Sequence, residues 1–183
     1  MEAINKKELL HSLENKVELQ LQEVLRVFQN LTEEVLLKPS ATGGWSVAQC
    51  LDHLNSYGHY YLPLIEKGIR DSKGKTSSQS FKSTWLGSYF TKIMDPATST
   101  RKYKAFKAHV PAADLDAYAV VAEFVKQQEL MLQYLKDASA VDLNSIRIPV
   151  SIAKLVRLKV GDVFQFMIAH NERHLEQARR SLS

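Results

Sequence analysis

Apolar residues recur at three- and four-residue steps in four long stretches of the chain, separated by polar or proline-containing segments. In the first, Leu10, Leu13, Val17, Leu21, Val24, Phe28 and Leu31 stand among Glu, Gln, Lys and Asn. That pattern predicts an amphipathic helix from about Lys6 to Leu31. Residues 39–44, Pro-Ser-Ala-Thr-Gly-Gly, break it. A second helix then opens with a capping box, Ser46 with Gln49, and Trp45 is placed to staple onto Cys50. Val47, Cys50, Leu54, Tyr57 and Tyr61 share one face, flanked by Leu51 and His53. Pro63 is expected to kink or interrupt this helix and Gly68 to mark its end.

A third helix is expected from near Asp114 to Asp137, with Val121, Val125, Met131, Leu132 and Leu135 inward and Gln128 in the same seam. The last begins near Gly161 or Asp162, whose charge suits a helix N-terminus. Between the second and third helices lie a polar stretch (71–80), a short helix over Phe81–Met94 ended by Asp95-Pro96, and a basic segment, Arg101–Lys107, interleaved with Tyr103 and Phe106. So long a connection in a small domain suits a lid or rim. Ile146–Val150 reads as a short extended piece whose proline excludes a central strand. The pattern predicts an all-α fold, a four-helix bundle with a long crossover between helices two and three, as one domain over 1–183.

Composition narrows the classes. With 183 residues, 45% of them hydrophobic, the chain can bury one substantial core. A net charge of +4 spread along the chain is too diffuse to argue for nucleic acid. The lone Cys50 cannot form an internal disulfide, and no apolar run suits a signal peptide or membrane span. A cytoplasmic protein is expected.

The chemistry is in the last helix. Val160, Val163 and Met167 mark its seam, and the next two seam positions are His170 and His174. Residues four apart lie one above the other on a helix, so two imidazoles occupy core places. That spacing lets two nitrogens meet one divalent metal. His53 offers a third imidazole on another apolar helix, and three neutral imidazoles make a site with an open coordination position. Gln128 is then either a partner of a metal ligand or a bonded core amide.

Other combinations are weaker. His170-Asn171-Glu172-Arg173-His174 is not the His-Glu-x-x-His of zinc proteases, because Glu172 is rotated to the far side of the helix. Glu8 and His11 form an isolated Glu-x-x-His pair without the second pair a di-iron bundle needs. There is no Gly-x-Ser-x-Gly elbow. Cys50 reads as core filling against Trp45, or as a thiol near the site. His59 points away from His53, and His109 sits in the crossover, where it could swing over the site.

Gly-Trp-Ser-Val-x5-His-Leu at 44–54, with His-Asn-Glu-Arg-His-Leu-x-Gln at 170–177, resembles the DinB-like (DinB/YfiT-like) superfamily over nearly the whole chain. The resemblance implies a four-helix bundle in which His53, His170 and His174 bind a divalent cation, nickel or zinc. It also implies a small-molecule substrate, in some relatives a low-molecular-weight bacterial thiol, and S-transferase or hydrolase chemistry. The alternative is a non-catalytic, stress-related helical module with a structural or vestigial metal. No nucleic-acid or membrane partner is expected, and a homodimer is compatible with the pattern. The pocket is expected beside the metal, between the second and last helices under the crossover, with Tyr57, Tyr60 and Tyr61 as wall or as ordinary packing.

Overall fold

Six α-helices and two small two-stranded sheets make up the described residues, 2–41, 43–74, 77–101 and 103–182 of this computed structural model. A two-residue strand β1 (Ile4–Asn5) leads into α1 (Lys6–Arg26), whose N-cap Asn5 accepts from the amides of Lys7 and Glu8. The helix stops five residues before Leu31, because the Asn30 amide donates to the carbonyls of Leu25 and Arg26 and so caps them. A 3₁₀ turn (Phe28–Asn30) and a short α2 (Glu33–Leu37) follow.

The next helix, α3 (Val47–Arg70), has the expected capping box on Ser46 and Gln49. Pro63 does not interrupt it, and it ends at Arg70, two residues beyond Gly68, which still lies inside it. Pro63 sits on the solvent side, where water can satisfy the carbonyl it leaves unpaired. Gly68 is instead a packing residue, since a Cβ there would stand 2.6 Å from the Ile146 side chain.

The crossover holds β2 (Ser80–Phe81), paired antiparallel with β1, and α4 (Trp85–Met94). Its basic segment is exposed where described; Lys102 lies outside the described residues, as do 75 and 76 of the polar stretch. A 3₁₀ turn (Lys107–His109) precedes α5 (Ala117–Ala138), capped by Asp116. The extended piece predicted near residue 148 is β3 (Arg147–Val150), and it pairs antiparallel with β4 (Ala153–Lys159) in a hairpin the pattern did not reveal. The last helix, α6 (Val160–Ser181), follows directly.

Side-chain contacts set the helix directions. Asn55 Nδ2 donates to the Val120 carbonyl and Gly58 faces Gln127, so α3 and α5 run parallel. Tyr61 packs on Phe166, and His53 on His170 and His174, so α6 is antiparallel to α3. Lys6, at the start of α1, donates to the carbonyls of Ser139 and Val141 just past the end of α5. The α4 helix follows α6: Gly87 lies against Asp162, and Phe90 against Phe166. Two apolar clusters result. One joins α1, the C-terminal half of α3, the hairpin and the start of α6; the other holds Phe28, Cys50, Leu51, Phe124 and Leu175 at the opposite end. The histidines lie where the two meet.

Candidate metal centre

The early turns of α3 and the late turns of α6 meet because the two helices are antiparallel. His53 is two turns into α3, and His170 and His174 lie beyond the middle of α6. Their rings form a triangle with centroids 5.1, 4.5 and 4.7 Å apart. One nitrogen from each lies within 4.8 Å of the others, and His53 Nε2 is 3.2 Å from His170 Nε2. Imidazoles bound at about 2.1 Å to a tetrahedral ion would have nitrogens about 3.4 Å apart, so this spacing fits one cation.

The hydrogen bonds point the right nitrogens inward. His53 donates Nδ1–H to the His109 carbonyl at 2.6 Å, which leaves its Nε2 a lone pair. His174 donates Nδ1–H to Gln177 Oε1 at 3.0 Å, which frees its Nε2 in the same way. Two lone pairs cannot face each other at 3.2 Å without a proton or cation between them. A proton on His170 Nε2 fills that gap in the metal-free protein; a divalent ion fits the same place.

Burial keeps the cluster neutral. His53 and His170 are 3% and 4% exposed and His174 is half-buried. Desolvation pulls His53 down to about 4 and His174 to about 3, and it holds His170 well below the ordinary range, each with a further push from neighbouring imidazoles or cations. Neutral imidazole is the form that ligates metal. No carboxylate belongs to the cluster, so an ion bound there would keep its full charge.

Aromatic rings close the walls. The Trp45 ring lies 4.9 Å from His53 and 5.7 Å from His174. Tyr57 stands edge-on to His53 and His170, and Phe166 stacks on His170. Arg173, next to His174, donates to the carbonyls of Ile93, Ser99 and Arg101 and lies over Tyr103. It thereby ties the crossover to α6.

The sequence model of the DinB superfamily matches residues 16–178. The chain belongs to the DinB superfamily. No curated protein and no solved structure matches it significantly. The matched span takes in α3, the crossover and α6, with His53, His170 and His174 all inside it.

Within this DinB superfamily site the other sequence candidates separate. His109 neither ligates nor swings free; it is buried and supplies the carbonyl behind His53. Gln128 accepts from Asn171 at 2.9 Å, which makes it a bonded core amide. Glu172 faces Gln20 and Arg179, away from the imidazoles. The Cys50 thiol is buried in the apolar cluster and pushed up to about 12. His11 and His59 are exposed, the latter bonded to Glu123. Tyr61 is packing with its oxygen accepting from the Ser151 amide, whereas Tyr57 borders the site, its hydroxyl raised to about 12 by burial. Trp45 and Gln177 escaped sequence reasoning as site residues. Two clefts, of about 350 and 220 Å³, lie away from the expected opening, one between α3 and the hairpin and one beside Ser46. Partial exposure of His174 marks the accessible flank.

Proposed function

We propose that this protein is a metal-dependent enzyme in which His53, His170 and His174 hold one divalent cation, zinc or nickel, and which acts on a small molecule by thiol transfer or hydrolysis. The observation that carries the reading is the convergence of three neutral imidazole nitrogens within 4.8 Å, two of them aimed inward by carbonyl oxygens. When bound, such a cation supplies Lewis acidity that brings the ionisation of a thiol or water toward neutral pH. The chain's own residues do the rest. His109 and Gln177 orient two ligands, Trp45, Tyr57 and Phe166 exclude water, and Arg173 holds the crossover over the half-buried His174 flank. The reading takes residues 1–183 as one domain on a four-helix bundle of α1, α3, α5 and α6, cytoplasmic, alone or as a homodimer. It includes no nucleic-acid or membrane partner.

Metal analysis tests it. The parent should carry about one zinc or nickel per chain, and replacing all three histidines by Ala should remove it. Undiminished stoichiometric metal in that variant sinks the proposal. Metal-loaded protein screened with low-molecular-weight thiols and electrophiles then addresses the reaction.

The near-complete burial of His53 and His170 favours a second reading, a structural ion in a non-catalytic stress-related module. Chelation separates the two. Loss of a structural ion should cost the fold heavily, whereas loss of a catalytic one should leave a folded, inactive protein.

A further inference from the structure

His109 has more contacts around the metal centre than its single carbonyl bond. It is buried on the crossover's 3₁₀ turn, and its ring stacks on Tyr57 with centroids 3.8 Å apart. Both ring nitrogens are used: Nδ1 is 2.9 Å from Ser56 Oγ, and Nε2 is 3.1 Å from Ser151 Oγ in the turn of the β3–β4 hairpin.

Counting protons fixes the direction of every bond. Ser56 Oγ donates its only proton to the His53 carbonyl at 2.7 Å, a back-bond within the helix. Ser56 Oγ must therefore accept from His109 Nδ1–H. Neutral His109 then has a lone pair on Nε2, and the Ser151 hydroxyl donates to it. Burial lowers the His109 pKa and keeps the ring neutral. Meanwhile the His53 ring donates Nδ1–H to the His109 carbonyl. The two histidines thus close a loop: ring of His53 to backbone of His109, ring of His109 through Ser56 to backbone of His53. Ser151 is tied in turn by its amide to the Tyr61 hydroxyl on the same helix.

We propose that His109, held by Ser56 and Ser151, is a positioning residue that locks His53 in the Nδ1–H tautomer and aims its Nε2 into the metal centre, so that the hairpin turn at Ser151 tunes metal affinity without touching the ion. The inference rests on the three-histidine reading above. Outer-sphere partners of ligating histidines commonly carry a 10–100-fold share of metal affinity. A hydroxyl beyond the partner should carry a smaller one.

The test uses the full chain with His109→Phe, which keeps the stacking on Tyr57 and loses both nitrogens, His109→Asn, which can restore the donor to Ser56 but not the bond to Ser151, and Ser151→Ala. Two readouts apply: the Kd for Zn²⁺ by competition with a chelating dye, and the His53 tautomer in metal-free protein by ¹⁵N NMR. His109→Phe should raise Kd about 10–100-fold and mix the His53 tautomers. His109→Asn should recover part of the loss, and Ser151→Ala should raise Kd by less than His109→Phe. A Kd for His109→Phe within about twofold of the parent overturns the proposal. If the parent binds no metal, the three-histidine reading fails separately and the tautomer alone decides: His53 still locked as Nδ1–H in His109→Phe overturns the positioning role. Should His109→Phe not fold, Ser151→Ala, in the hairpin turn, decides by the same two readouts.

Discussion

Lowering the pH from 7 to 5 should destabilise the metal-free protein through the three imidazoles themselves. In the folded state His53 titrates at about 4 and His174 at about 3, both depressed chiefly by burial. An unfolded chain holds the same rings near 6.5. At pH 5 the unfolded state therefore binds protons that the folded state refuses, and stability rises with pH across this window. The contribution is fully present above pH 6.5 and is lost as the pH falls toward the folded values. Each ring, 1.5 pH units below its free value at pH 5, costs about 2 kcal/mol, so His53 and His174 together cost about 4 kcal/mol. His170 acts in the same direction. Such a loss is a large part of the ~5–15 kcal/mol that holds a domain folded.

Urea unfolding with a chelator present, at pH 5, 6, 7 and 8, reads this directly. The midpoint should fall steeply below pH 6.5 at nearly constant m-value. His53→Gln and His174→Gln should each flatten the decline by about 2 kcal/mol, whatever they do at pH 8. A parent and variants that lose stability in parallel would refute the reasoning, because the proton uptake would then lie in other groups.

Other consequences are simpler to check. Paramagnetic Co²⁺ or Ni²⁺ should quench the fluorescence of Trp45, whose ring lies 4.9 Å from His53, and spare Trp85, which is 76% exposed on α4; Trp85→Phe should keep the quenching and Trp45→Phe should abolish it. Gly87→Ala, which in an ordinary helix interior would stabilise, should instead cost about 1–3 kcal/mol by urea unfolding, since its Cβ would stand 2.1 Å from Cγ of the fully buried Asp162. Lys6→Met should cost about 2 kcal/mol in the same assay, because Lys6 is 4% exposed and its ammonium bonds Ser77 and the carbonyls of Ser139 and Val141, which are left unpaired when it is removed.

The three-histidine cluster was legible because helical periodicity is local. His170 and His174 continue the seam of Val163 and Met167, and His53 flanks the seam of its own helix, so the spacing alone placed them inward. Trp45 was legible only as a staple, since its neighbours in sequence are all that a local pattern can see. Its ring packs on the cluster that holds Cys50 and also reaches His53 and His174, 129 positions on. His109 was hidden for another reason: it serves His53 with a backbone carbonyl, which every residue possesses. The β3–β4 hairpin went unseen because its turn, around Ser151 and Ile152, lacks the Asn-Gly or Asp-Gly signature. Pro63 does not end the helix, because the carbonyl it orphans lies on the solvent face, where water takes that bond.

The direction of the helices accounts for where the crossover goes. α3 starts at the histidine end and its 24 residues carry the chain about 36 Å away from it. α5 runs parallel to α3, so it too starts at the histidine end, and the chain must travel back the whole length to begin it. α4 makes part of that return alongside α6, about 15 Å of it, and residues 95–116 complete it. The return therefore has to finish over the imidazoles, where Arg173 grips the carbonyls of Ile93, Ser99 and Arg101 and Asp52 accepts from the Ala112 amide. The segment that closes the topology is also the one that walls the centre. Changes at Tyr103 or Phe106, both exposed on that segment, alter the wall and leave His53, His170 and His174 on helices that do not depend on them.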